Sequence, residues 1–251
     1  MPTFAGIYYT ISQPSEPATV PPLVLIHGAG GMALSWPPQI RRLSQMTVLA
    51  PDLPNHGKSA ALVYQKLDEV AKALLSWLDA LQIEEFNLCG HSMGGAICLL
   101  LALQAPQRVH KLILIGSAAR FAVNPVLMEL SAQPETLPRA VELLIKWSFG
   151  PRTPRRIKEL TARRLLENHP HTLHQDLAAC NEFNLSGELG YIQQPALILT
   201  GELDRMTPVA DAQELANKLP NAQFEIISGS GHMVILEQPD RIAKRVWDFC
   251  R

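Results

Sequence analysis

The sequence FNLCGHSMGG, residues 86–95, joins an apolar run of strand length to a Gly-x-Ser-x-Gly motif and the start of an amphipathic helix. A serine at the tip of a sharp strand-to-helix turn adopts a strained backbone, and glycines at 90 and 94 leave room for it. The turn exposes the Ser92 hydroxyl, and the helix N-terminus behind it favours a developing negative charge. The context predicts a nucleophilic serine, although the motif alone would also fit a turn serine.

Short apolar runs alternate along the rest of the chain with segments of helical periodicity. Several runs are apolar at consecutive positions, which is typical of parallel strands covered on both faces. We therefore predict the α/β class, a doubly wound and mostly parallel sheet with its ligand crevice at the carboxyl ends of the strands. The predicted strands are 6–11, 23–26, 47–50, 86–89, 112–115, 196–200 and 224–227, and the predicted helices are 68–81, 94–104, 209–218 and 240–249.

Residues 120–189 interrupt this alternation, because they contain helix-period segments separated by prolines and no convincing strand. We interpret them as a helical lid or cap inserted into a core made of residues 1–119 and 190–251. Within the lid, residues 152–164 hold six basic residues and one acidic residue. This pattern favours a solvated helix face, with a charged rim that attracts anionic ligands as the alternative.

A nucleophilic serine needs a base, because an unassisted hydroxyl is hardly ionised at neutral pH. The last predicted strand, 224–227, is followed by a loop of small residues that ends in His232. A third group must orient the imidazole, and both Glu202 and Asp204 follow the preceding strand. Each residue alone would fit a turn, cap or loop role. In the order Ser92, carboxylate, His232, they predict a catalytic triad.

The segment 27–31, His-Gly-Ala-Gly-Gly, directly follows the first parallel strand. Acyl transfer passes through a tetrahedral oxyanion that needs two preorganised N–H donors. We assign these to the backbone of Met93, just after the serine, and of Ala29, whose flanking glycines let the chain approach a substrate. A merely tight turn would explain one or two of these glycines.

Composition and other motifs narrow the function. Hydrophobic residues make up 47% and charged residues 18% of the chain. The net charge of −1 differs from the excess of positive charge that is typical of nucleic-acid-binding proteins. No apolar run reaches the roughly 18 residues of a membrane span, and the N-terminus lacks the basic residues of a secretory signal. The cysteines lie among apolar neighbours without Cys-x-x-Cys spacing, which predicts reduced thiols and a cytoplasmic protein. They are Cys89, Cys98, Cys180 and Cys250.

Cofactor motifs are weak or missing. The glycine loop has neither the Gly-x-Gly-x-x-Gly of a dinucleotide site nor the Gly-Lys-Ser/Thr of a P-loop. The histidines of HPHTLH, residues 169–174, do not have the spacing of a convincing metal site, although His171 and His174 would share a helix face. We expect no metal and no cofactor.

These motifs resemble the α/β-hydrolase superfamily, in its small esterase-like branch with a helical cap. The resemblance implies that Ser92 is the nucleophile, Asp204 rather than Glu202 the triad acid, and His232 the base, with Ala29 and Met93 as oxyanion donors. The chain departs from the family pattern at 54–55, where many relatives carry an arginine, and in showing one clear strand, 6–11, where an N-terminal hairpin is usual. The matching segments are 27–31 with Trp36, 51–59, 90–95, 201–208 and 231–232.

The resemblance implies a serine hydrolase that cleaves small to medium carboxylic esters through an acyl-enzyme. Because fold does not choose the bond, a C–C hydrolase, lactonase or lyase acting on a carboxylate-bearing metabolite is an alternative, and a non-catalytic small-ligand receptor is another. Dehalogenases and epoxide hydrolases are disfavoured, since those relatives carry aspartate where Ser92 stands. We expect a small-molecule acyl substrate, neither nucleic acid nor membrane as partner, and a monomer or homodimer.

Overall fold

The computed structural model describes residues 3–251, which form one eight-stranded sheet. The strands are β1 (Thr3–Phe4), β2 (Ile7–Ser12), β3 (Leu23–Ile26), β4 (Val48–Pro51), β5 (Phe86–His91), β6 (Val109–Ile115), β7 (Ala196–Gly201) and β8 (Ala222–Ile227). Their order is β1-β2-β4-β3-β5-β6-β7-β8. The pairs from β4 through β8 are parallel, and β1 and β2 pair antiparallel at one edge. The predicted α/β class with a mostly parallel sheet is confirmed.

Ten α-helices accompany the sheet over the described residues. Helices α2, α3 and α8 pack on one face of the sheet, and α1, α9 and α10 pack on the other. The helices are α1 (Pro38–Arg41), α2 (Leu67–Ala80), α3 (Met93–Gln104), α4 (Pro125–Ser131), α5 (Leu137–Ser148), α6 (Arg155–Leu165), α7 (Thr172–Glu182), α8 (Val209–Lys218), α9 (Val234–Glu237) and α10 (Pro239–Cys250).

Helix α3 is more buried than its predicted amphipathic character implies. Only its C-terminal end reaches solvent, at Gln104, because the sheet covers its inner side and α2 packs along its outer side. Helix α2 is amphipathic and buries Leu74 and Trp77 completely in the same core. Burial of side chains of this size stabilises the fold by about 2–3 kcal/mol each. Helix α3, which directly follows Ser92, is therefore packed firmly into the core.

The N-terminal edge differs from the sequence prediction of a single strand at 6–11. Strand β1 pairs with β2, so a short hairpin is present, with Phe4 opposite Ile7. The two loop residues, Ala5 and Gly6, have φ values of 48° and 76°, and positive φ at both central positions is typical of a type I′ turn. A two-residue strand is too short to show alternation, and alanine replaces the asparagine or aspartate that usually marks such a turn.

Helices α4–α7 lie between β6 and β7 in the chain, in the segment predicted as a lid. Apolar side chains of α4, α5 and α7 form a separate cluster around Leu127, Val141 and Leu177. Helix α6, by contrast, buries none of its residues. The division of the chain into core and cap stays a prediction. In residues 3–251, no helix has both the length and the apolarity needed to cross a membrane.

Candidate active site

Ser92 stands between β5 and α3, where the chain turns sharply at the carboxyl edge of the sheet. Its φ of 54° and ψ of −120° lie outside the regions that non-glycine residues usually adopt. The strained turn is stabilised by two hydrogen bonds: Ser92 N–H donates to Ile115 O at 2.8 Å, and the Ser117 hydroxyl donates to Ser92 O at 2.9 Å. Such strain in a well-ordered turn is typical of functional sites.

The glycines on either side of Ser92 are required by close backbone approach. A Cβ at Gly94 would lie 2.1 Å from Ile26 O, at the end of β3. A Cβ at Gly90 would lie 2.2 Å from Gly94 O, across the turn. The structure therefore supports the steric reason for the Gly-x-Ser-x-Gly spacing.

His232 follows β8 and is hydrogen-bonded through Nδ1 to Asp204 Oδ2 at 2.8 Å. The N–H groups of Met206 and Thr207 donate to Asp204 Oδ1, at 2.8 and 2.9 Å, and the Thr207 hydroxyl donates to Oδ2 at 3.0 Å. Burial alone would raise the pKa of the Asp204 carboxyl, but the charge of His232 and these hydrogen bonds hold it below its ordinary value. Asp204 is therefore an oriented carboxylate. Sequence reasoning missed Thr207, although its place three residues after an aspartate is typical of side-chain-to-backbone turns.

Glu202, the other candidate acid, has different partners. Its Oε2 accepts hydrogen bonds from the Ser228 hydroxyl and from Gly229 N–H, both at 2.8 Å, and its side chain is exposed. These bonds brace the loop that leads to His232 without touching the imidazole. Of the two carboxylates, the structure places Asp204 against His232.

His91, the residue before Ser92, was not singled out by the sequence. Its Nε2–H donates to the carbonyl oxygen of His232 at 2.9 Å, and its ring lies 4.9 Å from the His232 ring. Burial, helped by the nearby charge of His232, lowers the pKa of His91 to about 3. A neutral histidine thus fixes the backbone of His232 at every pH near neutrality.

The loop 27–31 comes close to the same edge of the sheet. The His27 ring is held on both sides: Leu53 N–H donates to Nε2 at 3.0 Å, so Nδ1–H donates to Gly28 O at 2.9 Å. Ala29 lines the adjoining cavity, and no acceptor for its N–H lies among the described residues. Met93 is the first residue of α3, fully buried behind Ser92, where an N–H has no acceptor within its helix.

A cavity of about 580 Å³ opens at this edge, and both Ser92 and His232 line it. Its walls are largely apolar, and half of the lining residues come from the predicted lid. No hydrogen bond joins the Ser92 hydroxyl to His232 among the described residues, and such bonds often form only when a substrate is bound. The large apolar lining residues from the lid are Phe121, Val123, Leu127, Leu144, Ile145, Trp147, Phe149, Leu165 and Leu177.

The weaker sequence features lie apart from this cavity or within the packing. His171 is the N-cap of α7, so it does not share a helix face with His174, whose Nδ1 hydrogen-bonds the Ser131 hydroxyl at 3.0 Å. Over residues 3–251, no three His, Cys, Asp or Glu side chains are grouped as a metal site would require. The four cysteines are free thiols and buried, as their apolar surroundings predicted.

Comparison with known proteins defines the class. The family model of the α/β-hydrolase fold matches residues 21–239, and the chain belongs to this family. A solved structure, the enol-lactonase from Burkholderia xenovorans LB400, superposes with a TM-score of 0.89 at 25% identity, covering 97% of this chain and 95% of that one. The family assignment agrees with the resemblance drawn from the motifs.

Curated relatives carry several activities. The dihydrolipoyllysine-residue acetyltransferase component of an acetoin cleaving system from Pseudomonas putida is 32% identical over 92% of this chain, which spans 63% of that protein. A pimeloyl-[acyl-carrier protein] methyl ester esterase from Nitrosomonas europaea is 28% identical, covering 88% of this chain and 92% of its own. A 2-hydroxy-6-oxononadienedioate/2-hydroxy-6-oxononatrienedioate hydrolase from Paraburkholderia phymatum is 30% identical over 90% of this chain and 86% of its own.

Proposed function

We propose that this α/β hydrolase cleaves carboxylic esters of small or medium size through a covalent acyl-enzyme. The observation that carries the proposal is the convergence of Ser92, His232 and the Ala29 loop on one cavity, with Asp204 bonded to His232 behind it. These groups follow four different strands, whose carboxyl ends meet because the strands are parallel. The apolar lining from the lid suits an acyl chain.

Each residue has one task in the proposed reaction. Ser92 Oγ attacks the carbonyl carbon while His232 Nε2 accepts its proton, and the Ala29 and Met93 N–H groups stabilise the oxyanion. The intermediate expels the alcohol, which takes the proton from His232, and leaves Ser92 acylated. Water then attacks the acyl-enzyme with His232 as base and releases the acid. Asp204 stabilises the imidazolium in both steps.

Ser92→Ala tests the nucleophile. We expect turnover of a short-chain p-nitrophenyl ester to fall by about 10³-fold or more, with an unchanged melting temperature. Ser76→Ala is the matched control, because Ser76 is exposed on α2 and bonds only Lys72 O. Undiminished turnover in Ser92→Ala would remove Ser92 from this role.

A fluorophosphonate probe distinguishes an enzyme from a receptor that uses the same cavity. The probe should label the wild-type protein at one site and should not label Ser92→Ala. A wild-type protein that stays unlabelled, with its fold intact, would favour the receptor.

A second candidate is hydrolysis of a lactone or a C–C bond in a carboxylate-bearing substrate. Arg164 favours it, because this half-buried side chain of α6 lines the cavity and donates one guanidinium N–H to Leu34 O. Its remaining donors suit a carboxylate. The enol-lactonase and the oxononadienedioate hydrolase among the related proteins also support this candidate.

An anionic diketone and a neutral ester assayed side by side separate the two candidates. If the second is right, Arg164→Gln should lower kcat/KM for the anion by about 10-fold and leave the neutral ester unaffected. Arg163→Gln is the control, since Arg163 is an exposed neighbour on α6 that does not line the cavity. If the wild type prefers the neutral ester and Arg164→Gln shows the same preference, the esterase proposal stands.

A further inference from the structure

The loop that carries Ala29 is held from outside by a carboxylate of helix α7. Gly30 N–H donates to Asp176 Oδ2 at 2.6 Å, across 146 residues of sequence, and the Asp176 side chain is fully buried. Asp176 does not line the cavity. Its contact with the catalytic region therefore runs through Gly30.

Asp176 is part of a buried ion pair. His56 Nε2 donates to Asp176 Oδ2 at 2.8 Å, and His56 Nδ1 lies 2.8 Å from Pro54 O. Because both ring nitrogens face acceptors, both carry protons and the ring is cationic. Burial opposes this charge, but the Asp176 carboxylate outweighs burial and raises the pKa of His56. The Tyr64 hydroxyl donates to the other oxygen, Oδ1, so the carboxylate is fully engaged.

The second backbone group of Gly30 is also fixed by the segment before α7. Asn168 Nδ2 donates to Gly30 O at 2.7 Å, while Gly57 N–H donates to Asn168 Oδ1 at 2.8 Å. Gly30 has a φ of 64°, and a Cβ there would lie 2.9 Å from Leu165 Cδ2. Both hydrogen-bonding groups of one glycine are thus held by side chains of the predicted lid.

These contacts restrict Ala29. The turn is closed by Gly31 N–H donating to Gly28 O at 3.0 Å, and the Ala29–Gly30 peptide is held by Asp176. Ala29 lies between these two fixed points and lines the cavity. A shift of an oxyanion donor by a fraction of an ångström weakens transition-state stabilisation, because the donor must match the oxyanion position.

We propose that Asp176 is a positioning residue, which directs the Ala29 N–H into the cavity by holding Gly30. This inference rests on the function proposed above, in which Ala29 N–H is an oxyanion donor. Asp176 acts through the loop and touches no reacting atom. It makes the helical segment a part of the catalytic apparatus rather than only a cover for the acyl chain.

Substitutions of Asp176 separate this role from a general loss of fold. Asp176→Ala should lower kcat for the p-nitrophenyl ester by about 10²-fold with KM changed less than about threefold, because the lost interaction acts in the transition state. Asp176→Asn should restore most of kcat, since its amide oxygen can still accept from Gly30 while its NH₂ faces the Tyr64 oxygen. The double variant Asp176→Leu/His56→Leu removes the pair without leaving a buried charge, so it keeps the fold while kcat falls as in Asp176→Ala.

Tyr64→Phe is the matched control. It removes a hydrogen bond from the same carboxylate without touching Gly30. We expect a lower melting temperature and an unchanged kcat. If kcat falls equally in Tyr64→Phe and Asp176→Ala, Asp176 acts through stability alone and the positioning role is wrong.

Amide hydrogen exchange at Gly30 gives a measurement that needs no turnover. Exchange should be slow in the wild type, Asp176→Asn and Tyr64→Phe, and at least about 10-fold faster in Asp176→Ala and the double variant. The inference would be overturned if the Gly30 amide exchanged as slowly in those two variants as in the wild type. It would also be overturned if their kcat equalled the wild-type value. A wild-type protein without esterase activity would refute the proposed function, while the exchange data would still decide whether Asp176 fixes the loop.

Discussion

Each oxygen of the Asp204 carboxylate has its own partners. Oδ1 accepts from the backbone N–H groups of Met206 and Thr207, and Oδ2 accepts from His232 Nδ1 and the Thr207 hydroxyl. The carboxylate cannot rotate without breaking one of these bonds. The arrangement fixes the tautomer of His232, with the proton on Nδ1 and a lone pair on Nε2. In the proposed reaction, this lone pair is what accepts the serine proton.

Asp204→Asn tests the dependence on this tautomer. The variant keeps the shape of the side chain but can place an NH₂ group against His232 Nδ1, which favours the wrong tautomer. We expect kcat to fall by about 10³- to 10⁴-fold, measured as ester hydrolysis at neutral pH. Glu202→Gln should stay within about threefold of wild type, because Glu202 bonds only the loop at Ser228 and Gly229. The opposite ranking of the two variants would assign the acid role to Glu202.

Among the elements, the short helix α9 connects two functional segments through Glu237. Its Oε2 accepts from Gly231 N–H at 2.7 Å, next to His232, and its Oε1 accepts from Gly150 N–H at 2.8 Å and from the Thr153 hydroxyl. Gly150 and Thr153 lie between α5 and α6. One carboxylate thus joins the histidine loop to the helices over the cavity.

Glu237→Gln should weaken the connection between the histidine loop and the segment between α5 and α6. The amide NH₂ that replaces one carboxylate oxygen cannot accept a hydrogen bond from the N–H group that it faces. We expect a loss of about 1–3 kcal/mol in the free energy of unfolding, measured by urea denaturation, and a fall in kcat of about threefold or more. Glu159→Gln is the control, since exposed Glu159 bonds only Arg155 on α6. Equal stability of the two variants would contradict a connecting role for Glu237.

For the whole molecule, two buried neutral histidines govern the response to acid. Burial lowers the pKa of both His27 and His91 to about 3, against 6.5 in an unfolded chain. Between these values the unfolded chain binds a proton that the fold excludes, so the free energy of unfolding falls as pH falls. His56 acts in the opposite direction. Its raised pKa contributes stability that is present below 6.5 and lost as pH rises through its value in the fold.

We therefore expect stability to be greatest near neutrality and to decline on the acid side by up to about 2.7 kcal/mol per pH unit, about 1.4 from each neutral histidine. Urea denaturation at a series of pH values measures this slope. His91→Gln should reduce it by about half, because one of the two excluded protons is lost. If the free energy of unfolding falls as steeply with decreasing pH in His91→Gln as in the wild type, His91 is not held neutral in the fold.

The sequence predicted the sheet, the family and the sharp turn at Ser92 because those features leave local patterns. It did not predict the contacts that the helices between β6 and β7 make with the loops below them. Asp176 occupies a helix in which a carboxylate is normally a solvated group, and nothing in its neighbours distinguishes it from Glu182 at the exposed end. Its burial follows from Gly30, His56 and Tyr64, which are distant in the chain. Long-range pairing of this kind is invisible to periodicity and spacing.

The four helices over the cavity are attached to the core unequally, and this difference affects how ligands enter and leave the cavity. Swinging α7 outward would separate Asp176 from His56 and leave uncompensated buried charge, at a cost of about 3–5 kcal/mol. Helix α6 has no such anchor: it buries none of its residues, and its hydrogen bond to the core runs from Arg164 to Leu34 O. Displacing α6 therefore breaks fewer buried contacts than displacing α7, and we expect this short basic segment to be the part that moves when a molecule reaches or leaves Ser92.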